Sequence, residues 1–215
     1  MIDDNIRYEF DKNIKLQYNA ELISGSDEVG RGAMAGPIVV ASVILKNNYF
    51  NPLIKDSKLI IEKQREILYE EIIKNSVCYS IKVYDSKIVD KLNPKQTSVL
   101  GMRESIQDLK IKPQLCLVDG ENINLKDYQV LKIIKGDYLS QTIGAASILA
   151  KVFRDNLMKE YDKIYQGYNF FKHKGYCTKE HIQKVKELGI LDIHRLSYKP
   201  VAEIKETQNE FWQDK

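Results

Sequence analysis

Apolar residues recur along this chain with two different periods, and the alternation between them outlines the fold. Residues 22–27 and 37–45 are short apolar runs joined by a glycine-rich stretch, which reads as two buried strands and a turn. Residues 61–75 place Ile and Leu three and four apart with Glu and Lys between them, the spacing of an amphipathic helix. Residues 77–84, rich in β-branched and aromatic side chains, predict a third strand. Pro94 suits the first turn of a helix reaching about residue 110, because its missing N–H is not needed there. Two more strands are predicted at 114–119 and 130–135, then a long helix from about 140 to 164 with a small-residue face at Gly144-Ala145-Ala146-Ser147. A loop rich in Gly, Tyr and Lys leads to a helix near 178–188, opened by Thr178 and Glu180. Three strands with one interposed helix, followed by helix–strand and strand–helix units, predict an α/β fold with a mixed sheet covered by helices.

Composition narrows the class. A chain of 215 residues supports one sizeable core, and no repeat, low-complexity tract or Pro/Gly-rich linker divides it. The longest apolar stretch, 37–45, is far short of the roughly 20 residues of a membrane span. The first twenty residues have no apolar run followed by a small-residue cleavage site, so a cytoplasmic location and no membrane partner are expected. Cys78, Cys116 and Cys177 lack CxxC spacing, which argues against a zinc site or disulfide framework; Cys78 and Cys116 read as buried small hydrophobes. The net charge is only +3, but residues 151–199 hold eleven Lys and Arg against six Asp and Glu. That excess suits phosphate contacts and suits a solvated helix face equally well.

Carboxylates carry the candidate chemistry. Asp27 and Glu28 end the first predicted strand, Asp119 ends the fourth and Asp137 follows the fifth, each with a glycine close by. Ligands collect at the carboxyl ends of strands in open α/β sheets. Four acids gathered there would repel one another without cations, and hard oxygen donors suit Mg²⁺ or Mn²⁺. Phosphodiester hydrolysis with two ions about 3.5–4 Å apart uses such a cluster. Asp and Gly at strand ends are also ordinary turn residues, so the residues by themselves leave both readings open. No G-x-S-x-G elbow is present, and His173, His181 and His194 lack metal-ligand spacing, reading instead as surface or phosphate-side contacts.

Ser26-Asp27-Glu28-Val29-Gly30-Arg31-Gly32, followed by Ala35-Gly36-Pro37, resembles the opening signature of the ribonuclease HII family. The resemblance continues through Asp56-Ser57-Lys58-Leu59, Leu117-Val118-Asp119-Gly120, Lys135-Gly136-Asp137, Ala145-Ala146-Ser147-Ile148-Leu149-Ala150-Lys151, Arg154-Asp155 and His173-Lys174-Gly175-Tyr176, covering roughly residues 22–201. Tyr138 to Thr142 depart from the small polar residues common in the family, without loss of an acid. The sister ribonuclease HIII has Glu at the fourth acid position, so Asp137 favours HII.

That resemblance implies a ribonuclease H-like fold, a five-stranded mixed sheet flanked by helices with a small helical C-terminal region. The expected division is 1–195 as the catalytic domain with its substrate-gripping part and 196–215 as a tail or helix. Asp27, Glu28, Asp119 and Asp137 match the family's metal-binding acids, implying two Mg²⁺ or Mn²⁺ ions. The backbone of Gly30, Arg31 and Gly32 matches the element that reads a ribose 2′-OH, the group that distinguishes RNA from DNA at one nucleotide. Tyr176 matches a tyrosine that packs on the following sugar, and Lys58 and Lys174 are candidate phosphate contacts. Ser147 reads as helix packing, and Lys151 and Arg154 as a salt bridge or a DNA contact. The implied activity is an endonucleolytic cut 5′ of a ribonucleotide, in an RNA–DNA hybrid or in a DNA duplex containing ribonucleotides, leaving 3′-OH and 5′-phosphate. A monomer is expected, with a contact to a replication clamp through Gln208, Phe211 and Trp212, where a packed terminal helix is the alternative. A different two-metal nuclease and a non-catalytic nucleic-acid-binding module are the competing functions.

Overall fold

The computed structural model describes the backbone of residues 5–213 and the side chains of residues 5–207. The side chains of Gln208, Phe211 and Trp212 therefore lie outside the described residues. Two compact units emerge: Met1–Val29, Val39–Val83 and Ser98–Val152 in the first, Gly30–Ile38, Tyr84–Thr97 and Phe153–Lys215 in the second.

The first unit is built on a sheet of β1 (Ile23–Val29), β2 (Ile38–Leu45), β3 (Ser76–Tyr84), β4 (Leu115–Asp119) and β5 (Val130–Ile133), ordered β3-β2-β1-β4-β5. All five strands were expected from the apolar pattern. β1 pairs antiparallel with β2 and parallel with β4, which pairs parallel with β5, so the sheet is mixed. β2 is buried at every position, as its run of apolar residues, interrupted only by Ser42, requires. Parallel pairing sets Ser26 opposite Val118, so Asp27 and Asp119 follow side by side at one end of the sheet. Ser26, Ser42 and Ser105 form a buried hydroxyl chain with 2.7 Å steps, which satisfies polar groups inside the apolar layer.

Helices of this unit are α1 (Ile6–Tyr18), α2 (Glu62–Lys74), most of α4 (Pro94–Gln107), the single turn α5 (Gly136–Leu139) and α6 (Gln141–Ile164) as far as Val152. α1 was not predicted. Its stripe Phe10, Ile14 and Tyr18 packs on Ala20, Ile23, Leu115, Leu117 and Ile143, and tertiary burial rather than any motif makes it a helix. The same face carries Asp11, fully enclosed, which accepts from Ser140 Oγ (2.6 Å), Thr142 N–H (2.8 Å) and Thr142 Oγ1 (2.7 Å). One carboxylate thus caps α6 from another helix, near the positive end of the helix dipole. Burial still pushes its pKa up to about 6, against the lowering by those donors.

The second unit contains the rest of α6, then α3 (Ser86–Leu92), α7 (Phe170–His173), α8 (Lys179–Leu188), α9 (Lys199–Gln213) and the loop 30–38. Thr178 caps α8 by accepting from the His181 N–H at 3.1 Å, as its position suggested. The core gathers Met34, Met158, Tyr168, Phe170, Val185, Val201 and Ile204. Val201 and Ile204 place α9 in this core. Among the described residues no helix is long and apolar enough to cross a membrane.

Candidate active site

All four predicted acids fall in the first unit. Asp27, only 5% exposed near the end of β1, accepts the Glu28 N–H at 2.7 Å and a hydrogen bond from Ser147. Ser147 also lies 3.0 Å from Ser57 Oγ, so its role extends beyond helix packing. Asp119 ends β4, and its Oδ1 accepts the Gly136 N–H at 2.6 Å, tying one acid to the residue before another. Asp137 sits in α5, whose entry bends through Lys135 in the left-handed region, φ 57. That bend ends β5 at Ile133, two residues earlier than expected.

The electrostatics show that these groups share one field. Burial pushes the Asp27 pKa well above the ordinary carboxylate range, and the charges of Glu28, Asp119 and Asp137 push it further. Asp119 is raised by burial and by Asp137, against the lowering effects of the Gly136 N–H and Lys58. Asp137 is raised by burial and next by Asp56, while Lys58 opposes. Asp56 is therefore a fifth carboxylate at this corner, additional to the four expected; its place in the Asp56-Ser57-Lys58-Leu59 segment is the one signal of it in the sequence. Exposed Lys58 is the cation that both Asp119 and Asp137 feel.

Among the described residues, no three His, Cys, Asp or Glu side chains are already closed into a metal-binding cluster. The acids are neighbours by strand register and by field rather than as a finished ligand shell. Their chemistry nonetheless fits a divalent ion: the donors are hard oxygens, and a buried carboxylate repelled by three others is the environment a cation relieves.

The elements matched to sugar recognition lie in the second unit. Gly30 has φ +96, and a Cβ there would lie 2.4 Å from Arg154 Nε and 2.7 Å from the Pro37 carbonyl, so only glycine fits. Met34 and Ala35 donate to the Gly175 carbonyl at 3.0 and 3.2 Å. Gly175 has φ +79, and its Cβ would stand 2.3 Å from the Ala35 carbonyl. The Gly30–Pro37 loop and the His173-Lys174-Gly175-Tyr176 segment are therefore built against each other. Arg31 and Tyr176 are half-buried and Gly32 is exposed. Arg154 stands 5.3 Å from the centre of the Tyr176 ring. Lys174 is buried, and its ammonium donates to the Phe171 carbonyl, a bond that a phosphate contact would have to replace.

Two expectations are corrected here. Arg154 is fully buried and forms neither a surface salt bridge nor an exposed DNA contact. Its guanidinium donates to the carbonyls of Pro37 (2.8 Å), Lys174 (2.8 Å) and Ala35 (3.1 Å), and burial lowers its pKa to about 10. The histidines are likewise buried rather than on the surface. His173 accepts the Gly175 N–H at Nδ1 and donates from Nε2 to the Tyr168 carbonyl (2.7 Å). His194 accepts the Leu191 N–H at Nδ1, so its Nε2–H donates to His181 Nε2 (3.1 Å), and His181 Nδ1–H donates to the Tyr176 carbonyl (3.0 Å). All six ring nitrogens are used with the three rings neutral, and an added proton would break a bond. Burial first, and the neighbouring rings next, lower His181 to about 3; burial lowers His194 to about 4.

A family model described as Ribonuclease HII matches residues 24–201. The chain belongs to the ribonuclease HII family. Members of this family are endoribonucleases that cleave the RNA of RNA–DNA hybrids. A Ribonuclease HII of Mycoplasma capricolum subsp. capricolum is 56% identical over 203 residues, covering 94% of this chain and 98% of the relative. Three solved structures share the fold. The ribonuclease H2 of Pyrococcus horikoshii superposes with TM-score 0.73 at 24% identity, covering 88% of this chain and 99% of that one. The RNase HII in a PCNA:RNase HII complex from Archaeoglobus fulgidus gives 0.71 at 24% identity, covering 83% and 95%. A Bst-RNase HIII in complex with Mn2+ gives 0.68 at 16% identity, covering 88% and 70%. The ribonuclease H-like sheet expected from the motifs is thus the sheet found.

Proposed function

We propose that this chain is a divalent-metal-dependent endonuclease that cuts on the 5′ side of a ribonucleotide, in RNA–DNA hybrids and in DNA duplexes carrying ribonucleotides. Its products are a 3′-OH and a 5′-phosphate. The observation that carries the reading is the buried Asp27 carboxyl beside three further acids, its pKa raised well above the ordinary range first by burial and then by their charges. Asp27, Glu28, Asp119 and Asp137 would hold two Mg²⁺ or Mn²⁺ ions; the Mn2+ complex of a ribonuclease HIII is in keeping with that choice. When bound, such ions supply acidity to a water nucleophile and neutralise charge that builds on the phosphodiester.

The protein's own groups do the rest. Gly136 N–H orients Asp119, and Ser147 steadies the charged form of Asp27. Lys58 offers a point charge for a substrate phosphate. The backbone of Gly30, Arg31 and Gly32 reads the 2′-OH, and Tyr176 packs on the next sugar; Lys174 contacts phosphate only if it leaves the Phe171 carbonyl. Residues 1–195 form the catalytic domain with its gripping part, and 196–215 form the C-terminal tail or helix. The enzyme acts as a cytoplasmic monomer, and its C-terminal segment contacts a replication clamp, a reading encouraged by the archaeal PCNA complex.

The test is cleavage-site mapping on a duplex with one embedded ribonucleotide, in Mg²⁺, Mn²⁺ and chelator. A single cut 5′ of the ribonucleotide, absent in chelator, is expected. Cutting of an all-DNA duplex at similar rate would identify a different two-metal nuclease, and binding without cleavage a non-catalytic module.

A further inference from the structure

The loop of Gly30, Arg31, Gly32, Ala33, Met34, Ala35 and Gly36 has few side chains able to hydrogen-bond, so its carbonyls are the handles by which it can be held. One buried side chain takes several of them. Arg195, 0% exposed, donates from Nε and Nη2 to the Gly36 carbonyl (3.2 and 2.9 Å) and from Nη1 to the Arg31 carbonyl (3.1 Å). Nη1 also donates to Tyr198 Oη (2.9 Å), and the Tyr198 hydroxyl donates in turn to the Arg31 carbonyl. The Arg195 N–H donates to the Met34 carbonyl at 2.9 Å.

The consequence is directional. No described peptide bond is cis, and in a trans peptide the C=O and the following N–H point in opposite directions. Arg195 and Tyr198 hold the Arg31 carbonyl from the buried side, so the N–H of the same peptide unit, that of Gly32, points to the other side. There Gly32 is exposed, and a Cβ on it would meet no atom within 4 Å. Two donors on one carbonyl, one of them cationic, resist a peptide flip far better than a single neutral bond.

We propose that Arg195 and Tyr198 are positioning residues for ribose recognition: they fix the Arg31–Gly32 peptide so that the Gly32 N–H faces outward as a donor to a ribose 2′-oxygen. This rests on the reading of the loop as the 2′-OH sensor. Neither residue touches the sugar; they set the direction of the group that does. A solely structural role would have the same contacts stabilise the loop without affecting the choice between ribose and deoxyribose.

Tyr198→Phe tests it with almost no change of shape, and Arg195→Lys keeps the charge but loses the fork. Affinity is measured in chelator for a duplex with one ribonucleotide and for the all-DNA duplex of the same sequence, beside the melting temperature and the amide signal of Gly32 in glycine-labelled protein. Tyr198→Phe should lose roughly threefold to tenfold of the ribose-over-deoxyribose preference, as expected for one hydrogen bond. All-DNA affinity should hold, and the Gly32 amide should shift. Folded variants of both kinds with unchanged preference would overturn the assignment, and so would an equal loss on both duplexes in step with melting temperature. A native chain without ribose preference would instead remove the underlying reading, and this assignment with it.

Discussion

The two units bury charge in opposite ways. In the first, carboxylates are enclosed with one another, and Asp27 is driven out of its ordinary range by burial and by its acidic neighbours. In the second, the buried cations Arg154 and Arg195 spend their donors on loop carbonyls, and three buried histidines stay neutral in a closed set of hydrogen bonds. The acid corner gathers like charges; the loop unit pairs its charges with carbonyls. Buried like charges raise one another's pKa, whereas buried cations whose donors are all engaged by carbonyls hold those carbonyls in place.

The sharpest way to break this contrast is Asp27→Asn. Cleavage should fall by about a thousandfold or more, the scale of removing one group that supports charge stabilisation in the transition state. Metal-free protein should melt at a higher temperature, because a neutral amide removes the repulsion. Single-turnover cleavage and melting in chelator measure both, and near-normal turnover would refute the role of Asp27.

Acidification should separate the units next. His181 at about 3 and His194 at about 4 lie below the ordinary value of about 6.5, so the unfolded chain binds more protons between those limits. Their contribution is complete above pH about 6.5 and lost as pH falls toward 4, on the order of a few kcal/mol for the two coupled, buried rings. Asp11, raised to about 6, and Asp27 have the opposite sign: charged, they cost stability at neutral pH, and protonation relieves them. Hydrogen exchange from pH 7 to 4.5 should therefore show protection falling around 173–194 more steeply than in β1 and α1. Equal slopes in both units would remove the distinction.

Gly175→Ala should cost about 2 kcal/mol or more, since its φ and the Ala35 carbonyl leave no room for a Cβ. Urea denaturation measures this, and a neutral result would mean the loop adapts. The smallest effect is expected from Asp11→Asn, about 1 kcal/mol, because the amide cannot accept all three hydrogen bonds. Titration of Mn²⁺ binding should show a severalfold weaker affinity if the cap of α6 steadies the turn that carries Asp137.

Much of the first unit is written locally. β2 is apolar at nearly every position because both its faces are covered, and Asp27, Asp119 and Asp137 are placed by short strands with glycines beside them. α1 escaped because it has no glycine, proline or motif to mark it; the acid within its apolar stripe, Asp11, was the legible sign. Arg154, Arg195, Tyr198 and the histidines escaped for a different reason. Arg and His are mostly surface residues, and nothing in their spacing shows that carbonyls many residues away will surround them.

The order of residues by itself determined the strands, the acids at their ends and the two motif-bearing loops, since these follow from periodicity and from side chains read one at a time. Only the tertiary structure decided that Asp56 joins the acid corner, that Asp11 caps a helix 130 residues later, and that buried arginines hold the Gly30–Gly36 loop. Those facts depend on desolvation and on directional hydrogen bonds between distant segments, and neither exists until the chain has folded.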